Sequence, residues 1–348
     1  MKKIGVVEGF FGPAWSHEAR KSYAPFIQES GGGFYIYAPK RDPKLRKEWR
    51  HDWGQDYLAW LKDLAGHFLK HQVTFGVGLS PFGLGKILSK DDERILKAKL
   101  RDLSGAGVEL LGFFFDDMPS DQNLLAAQLA CVKLVRREFT GRIVFCPSYY
   151  TPDPILEKVF GKMPQNYWQD ISTMPIDVFM AWTGPKVIST EISNEHLKDV
   201  TALLKRRPFI WENIFANDGP KNCKFLKLKP FSGRDKGVIG LVEAFAFNMM
   251  NQAQLSKVLF LSSRLVLEKN LESQIAFDQA LNQLCSAPLK DFILQHREFY
   301  LQQGLDQMVP ETKHAHIAQL SKLSEPMAHE IVAWLKGEYI VGPECLTD

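Results

Sequence analysis

The run FFFDDMPSD (113–121) ends three phenylalanines on two adjacent aspartates, Asp116 and Asp117. Two carboxylates this close repel, and neither is cheap to bury without a partner. Such a pair tends to retain one proton, leaving a general acid beside a carboxylate. That is the arrangement glycoside cleavage needs. The same run also reads DDxxxD, close to the acidic motif that holds magnesium and diphosphate in prenyl-transfer enzymes. Those motifs sit on helices, however, and Pro119 opposes continuing a helix from a strand-like run. A third reading is a solvated loop pair with Asp121 as a helix N-cap. Spacing alone leaves all three open.

Further polar and aromatic residues stand where other apolar runs stop. They are Glu8-Gly9-Phe10-Phe11-Gly12, Tyr37-Ala38-Pro39-Lys40, Ser148-Tyr149-Tyr150, Trp182-Thr183-Gly184, Trp211-Glu212-Asn213 continuing to Asn217-Asp218, and Asn251. If these ends share one mouth, ring faces stack on a carbohydrate while amides and acids grip its hydroxyls.

The elements that must position these residues are strand-like runs at 3–10, 33–39, 73–80, 109–116, 142–148, 177–184, 208–213 and 238–245. Helical patterns lie between them, for example 56–72 and 92–107, the second with Ile95, Leu96, Leu100 and Leu103 on one face. Eight continuous apolar strands alternating with helices predict a (β/α)8 TIM barrel, with functional residues at the C-terminal ends of its strands. A doubly wound open sheet competes, but no Gly-rich dinucleotide loop follows the first strand. Alternation stops near residue 265. The chain therefore divides into a barrel over 1–265 and a C-terminal helical domain over 266–348, with amphipathic helices at 273–285, 289–303 and 326–339.

Composition narrows the partners. The 348 residues carry a net charge of +3, too mild to argue for nucleic acid, and the basic stretch 221–237 has no accompanying recognition motif. Five scattered cysteines without a CxxC pair point to a reducing compartment. The N-terminal apolar run is too short for a signal sequence, and no stretch approaches the ~18 apolar residues of a membrane span. The expectation is a cytoplasmic protein. His67 and His71 have i, i+4 spacing without the Glu of HExxH, so a solvated helix face is expected, and no metal or other cofactor.

Seven segments carry a resemblance. GVVEGFFGPAW (5–15), YIYAPKRDP (35–43), FFFDD (113–117), FCPSYY (145–150), WTGPKVIS (182–189), WENIFANDG (211–219) and NMMNQAQLSK (248–257) resemble, in order, the motif series of glycoside hydrolase family 84. These are β-N-acetylglucosaminidases, including enzymes that remove O-linked N-acetylglucosamine from proteins. The resemblance implies substrate-assisted retention: the substrate's acetamide oxygen attacks its own anomeric carbon, giving an oxazoline that water opens. Asp116 would orient the acetamido N–H, and Asp117 would serve as acid, then base. Tyr150, chosen over Tyr149 by alignment from Cys146, would donate to the developing oxazoline. Asp218 would grip O4 and O6. Asn213, Asn251 and Lys40 would hold other polar groups, Trp211 would wall the N-acetyl pocket, and Gly9 would let backbone approach the sugar.

Several positions depart from the family pattern, among them Phe11 where a tyrosine is common and Gly219 where an aromatic is common; none touches the acid pair. The implied partner is a glycan or glycoprotein bearing β-linked N-acetylglucosamine. Two rivals stand beside this reading: a non-catalytic barrel that binds the sugar, and a magnesium-dependent transferase using the DDxxxD run.

Overall fold

The computed structural model of the chain describes residues 2–84, 88–118 and 124–347. Pro119 and Asp121, on which two of the DDMPSD readings turned, lie outside the described residues. Eight parallel strands close into a barrel: β1 (Ile4–Glu8), β2 (Phe34–Tyr37), β3 (Thr74–Leu79), β4 (Leu110–Phe114), β5 (Arg142–Cys146), β6 (Val178–Trp182), β7 (Phe209–Glu212) and β8 (Ala244–Asn248). Closure is made by β8 pairing with β1, with Val6 opposite Phe247. Around the barrel run α1 (His17–Glu29), α2 (Gly54–Lys70), α3 (Lys90–Gly105), α4 (Leu124–Glu138), the short α5 (Pro154–Phe160) and α6 (Tyr167–Ile171), α7 (Asn194–Leu204) and α8 (Ala253–Lys269).

Strand side chains alternate between two faces, and both faces are apolar here. Val7, Ile36, Leu110, Phe114, Val144, Phe209 and Ala246 fill the barrel interior. Their neighbours Val6, Tyr35, Leu111, Phe113, Phe145, Ile210 and Phe247 pack outward against the helices. Each fully buried Leu or Phe contributes about 1.5–3 kcal/mol, so a one-residue slip in any strand would exchange two well-filled layers. Serines start several helices: the side chains of Ser16, Ser89 and Ser193 accept from the N–H of Ala19, Asp92 and His196.

The eighth strand begins later than the apolar run 238–245 suggests. Val238–Gly240 forms a 3-10 turn, and the strand occupies Ala244–Asn248. Apolar residues predominate on both sides of Glu243 from Val238 to Met250, so they mark a buried segment without fixing which part pairs. The expected division at 265/266 falls inside α8, which continues to Lys269.

Four helices follow: α9 (Ser273–Leu284), α10 (Ala287–Gln302), α11 (Pro310–Leu320) and α12 (Pro326–Leu335). The sequence reading had no helix at α11. Glu330 of α12 accepts from the N–H groups of Gln254 and Leu255 at 2.8–2.9 Å, so a distant carboxylate satisfies free donors in the first turn of α8. Burial pushes Glu330 up to about 7. Trp334 also donates its indole N–H to the Cys223 carbonyl at 3.0 Å. Among the described residues no helix is long and apolar enough to cross a membrane.

Candidate active site

Inward parity carries each strand's face up to the mouth. Gly9 continues the row of Val7, Lys40 that of Ile36 and Ala38, and Asp116 that of Leu110 and Phe114. Thr183 follows Ala181, Asn213 follows Phe209 and Trp211, and Asn248 follows Ala244 and Ala246. All of these terminal residues line one cavity of about 570 Å³, measured with its open mouth, which is within the range of ligand sites.

Asp117 breaks that parity and still lines the cavity. Its φ is +55°, a left-handed conformation uncommon outside glycine but tolerated by aspartate. The chain leaves the sheet at this residue, and the turn brings the second of two adjacent carboxylates to the side the first already faces. Arg46 donates to the Asp117 carbonyl at 3.1 Å, holding the turn.

The two acids have different partners. Lys40 donates to Asp116 Oδ2 and stands 5.8 Å from the centroid of the Trp211 ring. Asp116 Oδ1 is buried with no hydrogen-bond partner among the described residues. Tyr150 directs its hydroxyl at Asp117 Oδ1 at 3.4 Å. Burial, then the charge of Asp116, push the Asp117 carboxyl above the ordinary range, against the opposing pull of Lys40, Arg46 and the Tyr150 hydroxyl. One acid is therefore ion-paired and the other disposed to keep its proton.

Of the two candidate phenols, only Tyr150 lines the cavity. Tyr149 donates to the Gly161 carbonyl at 2.6 Å and packs edge-on against Tyr167. Asp218 accepts the Phe11 N–H at 2.8 Å, and burial raises its carboxyl to about 6. Asn213, Asn248 and Gly9 form a directed chain: the Gly9 N–H donates to Asn248 at 3.3 Å, Asn248 to Asn213 at 3.0 Å, and Asn213 to the Val187 carbonyl at 2.9 Å.

Gly9 is required by Trp211 in the first place. A Cβ there would stand 2.3 Å from the indole Cζ2, so the glycine makes room for the ring that walls the cavity.

Asn251 does not line the cavity. Its amide donates to the carbonyls of Phe11 and Pro13 at 2.8 and 3.3 Å, and its backbone N–H goes to Asn217 at 3.0 Å. It fixes the loop after β1, and through Phe11 the position of Asp218. Asn217 is likewise spent on backbone and on Gln252. Trp182 packs outward, with its N–H on His196 at 3.0 Å. His67 hydrogen-bonds the Lys21 carbonyl at 3.0 Å and His71 the Gln28 side chain at 3.0 Å, both on α1.

Sequence reasoning missed Asn248 and Asn222 among the lining residues, and noted Thr183 at a strand end without giving it a role. Inward parity would have found Asn248 had β8 been placed at Ala244–Asn248. It also missed two buried pairs that brace the rim from outside. Arg20 grips Glu8 through two bonds of 2.8 Å, and Arg234, from the basic stretch 221–237, grips Glu212 at 2.9 and 2.7 Å. Both glutamates close strands whose next residue, Gly9 or Asn213, faces the cavity.

A closed barrel that gathers an acid pair, a phenol, amides and an indole at the C-terminal ends of its strands is the build of a glycoside hydrolase. The family model for beta-N-acetylglucosaminidase matches residues 4–294, and the chain belongs to that family, glycoside hydrolase family 84. It is 33% identical to the protein O-GlcNAcases of Rattus norvegicus and Mus musculus, each match covering 68% of this chain and 26% of the relative. The chain thus spans about a quarter of those relatives' length. Among solved structures, a mutant O-GlcNAc hydrolase of Thermobaculum terrenum superposes with a TM-score of 0.77 at 25% identity, over 96% of this chain and 80% of that one.

Proposed function

We propose that this chain is a retaining exo-β-N-acetylglucosaminidase that removes terminal β-linked N-acetylglucosamine, O-GlcNAcase-like, through the acetamide of its own substrate. The observation that carries the reading is the asymmetry of Asp116. One oxygen is held by Lys40, and the other is buried at the cavity with no partner among the described residues. A buried acceptor without a donor is costly, and an acetamido N–H supplies the donor.

In this reading Asp116 Oδ1 accepts that N–H and turns the carbonyl oxygen toward the anomeric carbon. The oxygen attacks, the glycosidic bond breaks, and Asp117 gives its proton to the departing oxygen. The nitrogen proton passes to Asp116 as the oxazoline closes and returns as it opens, and the Tyr150 hydroxyl stabilises the ring. Asp117, now a carboxylate, takes a proton from water as that water attacks the anomeric carbon and reopens the ring. Because the nucleophile belongs to the substrate, neighbouring acids suffice where covalent retention needs carboxylates about 5–5.5 Å apart. Asp218 faces O4 and O6, Asn213 and Asn248 hold further polar groups, Lys40 fixes the orientation of Asp116 through its Oδ2, and Trp211 covers the acetamide methyl. Asn251 acts through Phe11.

Residues up to the end of α8 make the catalytic barrel, and the helices after it form a C-terminal domain packed against it. Relatives named as protein O-GlcNAcases support a protein-borne sugar. Five cysteines, none of them joined in a disulfide, support a reducing, cytoplasmic setting.

The test is hydrolysis of an aryl β-N-acetylglucosaminide beside the aryl β-glucoside, with and without EDTA. Cleavage of the first alone, unaffected by chelation, is expected. Silence on both from folded protein overturns the reading in favour of a sugar-binding barrel, and loss with EDTA favours a metal-dependent reaction.

A further inference from the structure

The segment 341–347 crosses the cavity mouth, although the helical tail has no part in the chemistry above. Val341 is buried against Phe11 and Cys223, and its N–H points at the Cys223 thiol at 3.5 Å. It also occupies space beside Gly12, where a Cβ would come within 2.7 Å of the valine methyl. Three residues on, Glu344 accepts from Arg41 at 3.2 Å, beside Lys40. The segment therefore spans from the loops after β1 and β7 to the loop after β2. Just past the second anchor, Cys345 and Thr347 line the cavity that Asp117, Tyr150 and Asp218 also line. Phe11 is common ground: Val341 packs on its ring, and its N–H holds Asp218.

We infer that residues 341–347 are a strap completing the wall of the sugar pocket beyond Asp218, with Cys345 and Thr347 as specificity-determining residues. The strap makes the pocket a dead end, so a sugar extended at the hydroxyls facing Asp218 is refused. The inference rests on the proposed reading for which sugar edge faces Asp218. Burial first, then the nearby carboxylates of Asp218 and Asp117, push the Cys345 thiol up to about 12, so it presents a small neutral group. Small side chains at both positions leave room for one ring and little more.

Two full-length variants test this. Val341→Asp with Glu344→Arg unseats both anchors, and Cys345→Trp fills the pocket. The substrates are the aryl β-glycosides of N-acetylglucosamine and of its 4-linked disaccharide. Wild type is expected to release aryl alcohol from the disaccharide only after a lag, with free monosaccharide as the sole sugar. The unseated variant should release intact disaccharide without a lag, and Cys345→Trp should raise KM for the monosaccharide about tenfold with kcat within about twofold. Unchanged products and KM in variants that keep the wild-type melting temperature overturn the strap. If the unseated variant does not fold, Cys345→Trp decides alone. A wild type inactive on the monosaccharide counts against the hydrolase reading. Calorimetric titration with N-acetylglucosamine then decides the strap: about tenfold weaker binding to Cys345→Trp supports it, and equal or absent binding to both proteins overturns it.

Discussion

Lys40 and Asp116 meet across the barrel mouth from the ends of β2 and β4, and the ion pair uses only one of the carboxylate's two oxygens. This divides labour between two residues that the sequence leaves chemically identical. Asp116 is committed to a charge partner and keeps one open acceptor. Asp117 has burial and a neighbouring negative charge favouring its protonated form.

Replacing each acid by its amide should separate the roles. Asp116→Asn is expected to lower kcat about 10²–10⁴-fold for every leaving group, because the acetamide is no longer oriented. Asp117→Asn should lower kcat by a similar factor for poor leaving groups and far less for nitrophenol. A Brønsted plot of log kcat against leaving-group pKa for both variants checks this; equal slopes would falsify the division.

The Tyr150 hydroxyl favours ionised Asp117, so its removal raises that carboxyl further. In Tyr150→Phe the protonated acid survives to higher pH. The descending basic limb of kcat/KM therefore moves upward in pH, while kcat falls about 10–100-fold. A change in kcat with a stationary basic limb would remove the phenol from contact with Asp117.

Asp218 titrates near 6 in the folded protein against an ordinary 3.8. A carboxyl raised in this way stabilises the fold below its unfolded value, and that contribution disappears as pH rises through about 6. Asp218→Asn should then melt with wild type near pH 4 and about 1–3 °C above it at pH 8. It should also lose binding of N-acetylglucosamine. Thermal scans across that range read the first effect and calorimetry the second.

Gly9→Ala places a methyl 2.3 Å from the Trp211 indole, and the ring must turn from the cavity wall to accept it. KM for the aryl glycoside is expected to rise about tenfold, with a smaller change in kcat. Quenched or shifted tryptophan fluorescence on ligand addition in wild type, lost in the variant, would report the displaced ring.

Much of this architecture was legible because buried parallel strands are continuous apolar runs, and the residue that ends such a run is conspicuous. Lys40, Asp116 and Asn213 were picked out that way, and Asp218 by following the chain past the end of the seventh run. Asn248 escaped because apolar character extends through its surroundings on both sides, so hydrophobicity alone placed β8 too early. Asn251 looked equivalent to the other asparagines in sequence and differs only in which carbonyls its amide reaches. The Glu8–Arg20 and Glu212–Arg234 pairs join a strand end to a helix or loop 12 and 22 residues away, a coupling that no local pattern encodes. The strap depends on where the helical tail docks, which rests on Glu330 and Trp334 finding backbone groups in the barrel.

Closure of β8 onto β1 has a consequence for the chain as it is made. Asp116, Asp117 and Tyr150 leave the ribosome about 100–130 residues ahead of Asn248, and until then β1 presents an open edge to solvent. The reactive groups exist well before the chamber that gives them direction. Joining the first strand to the last is the kind of long-range contact that folds slowly and leaves intermediates prone to aggregation. A nascent chain stalled before residue 244 would carry the acid pair without the enclosure, and it is that late seam which gathers a string of side chains around one cavity.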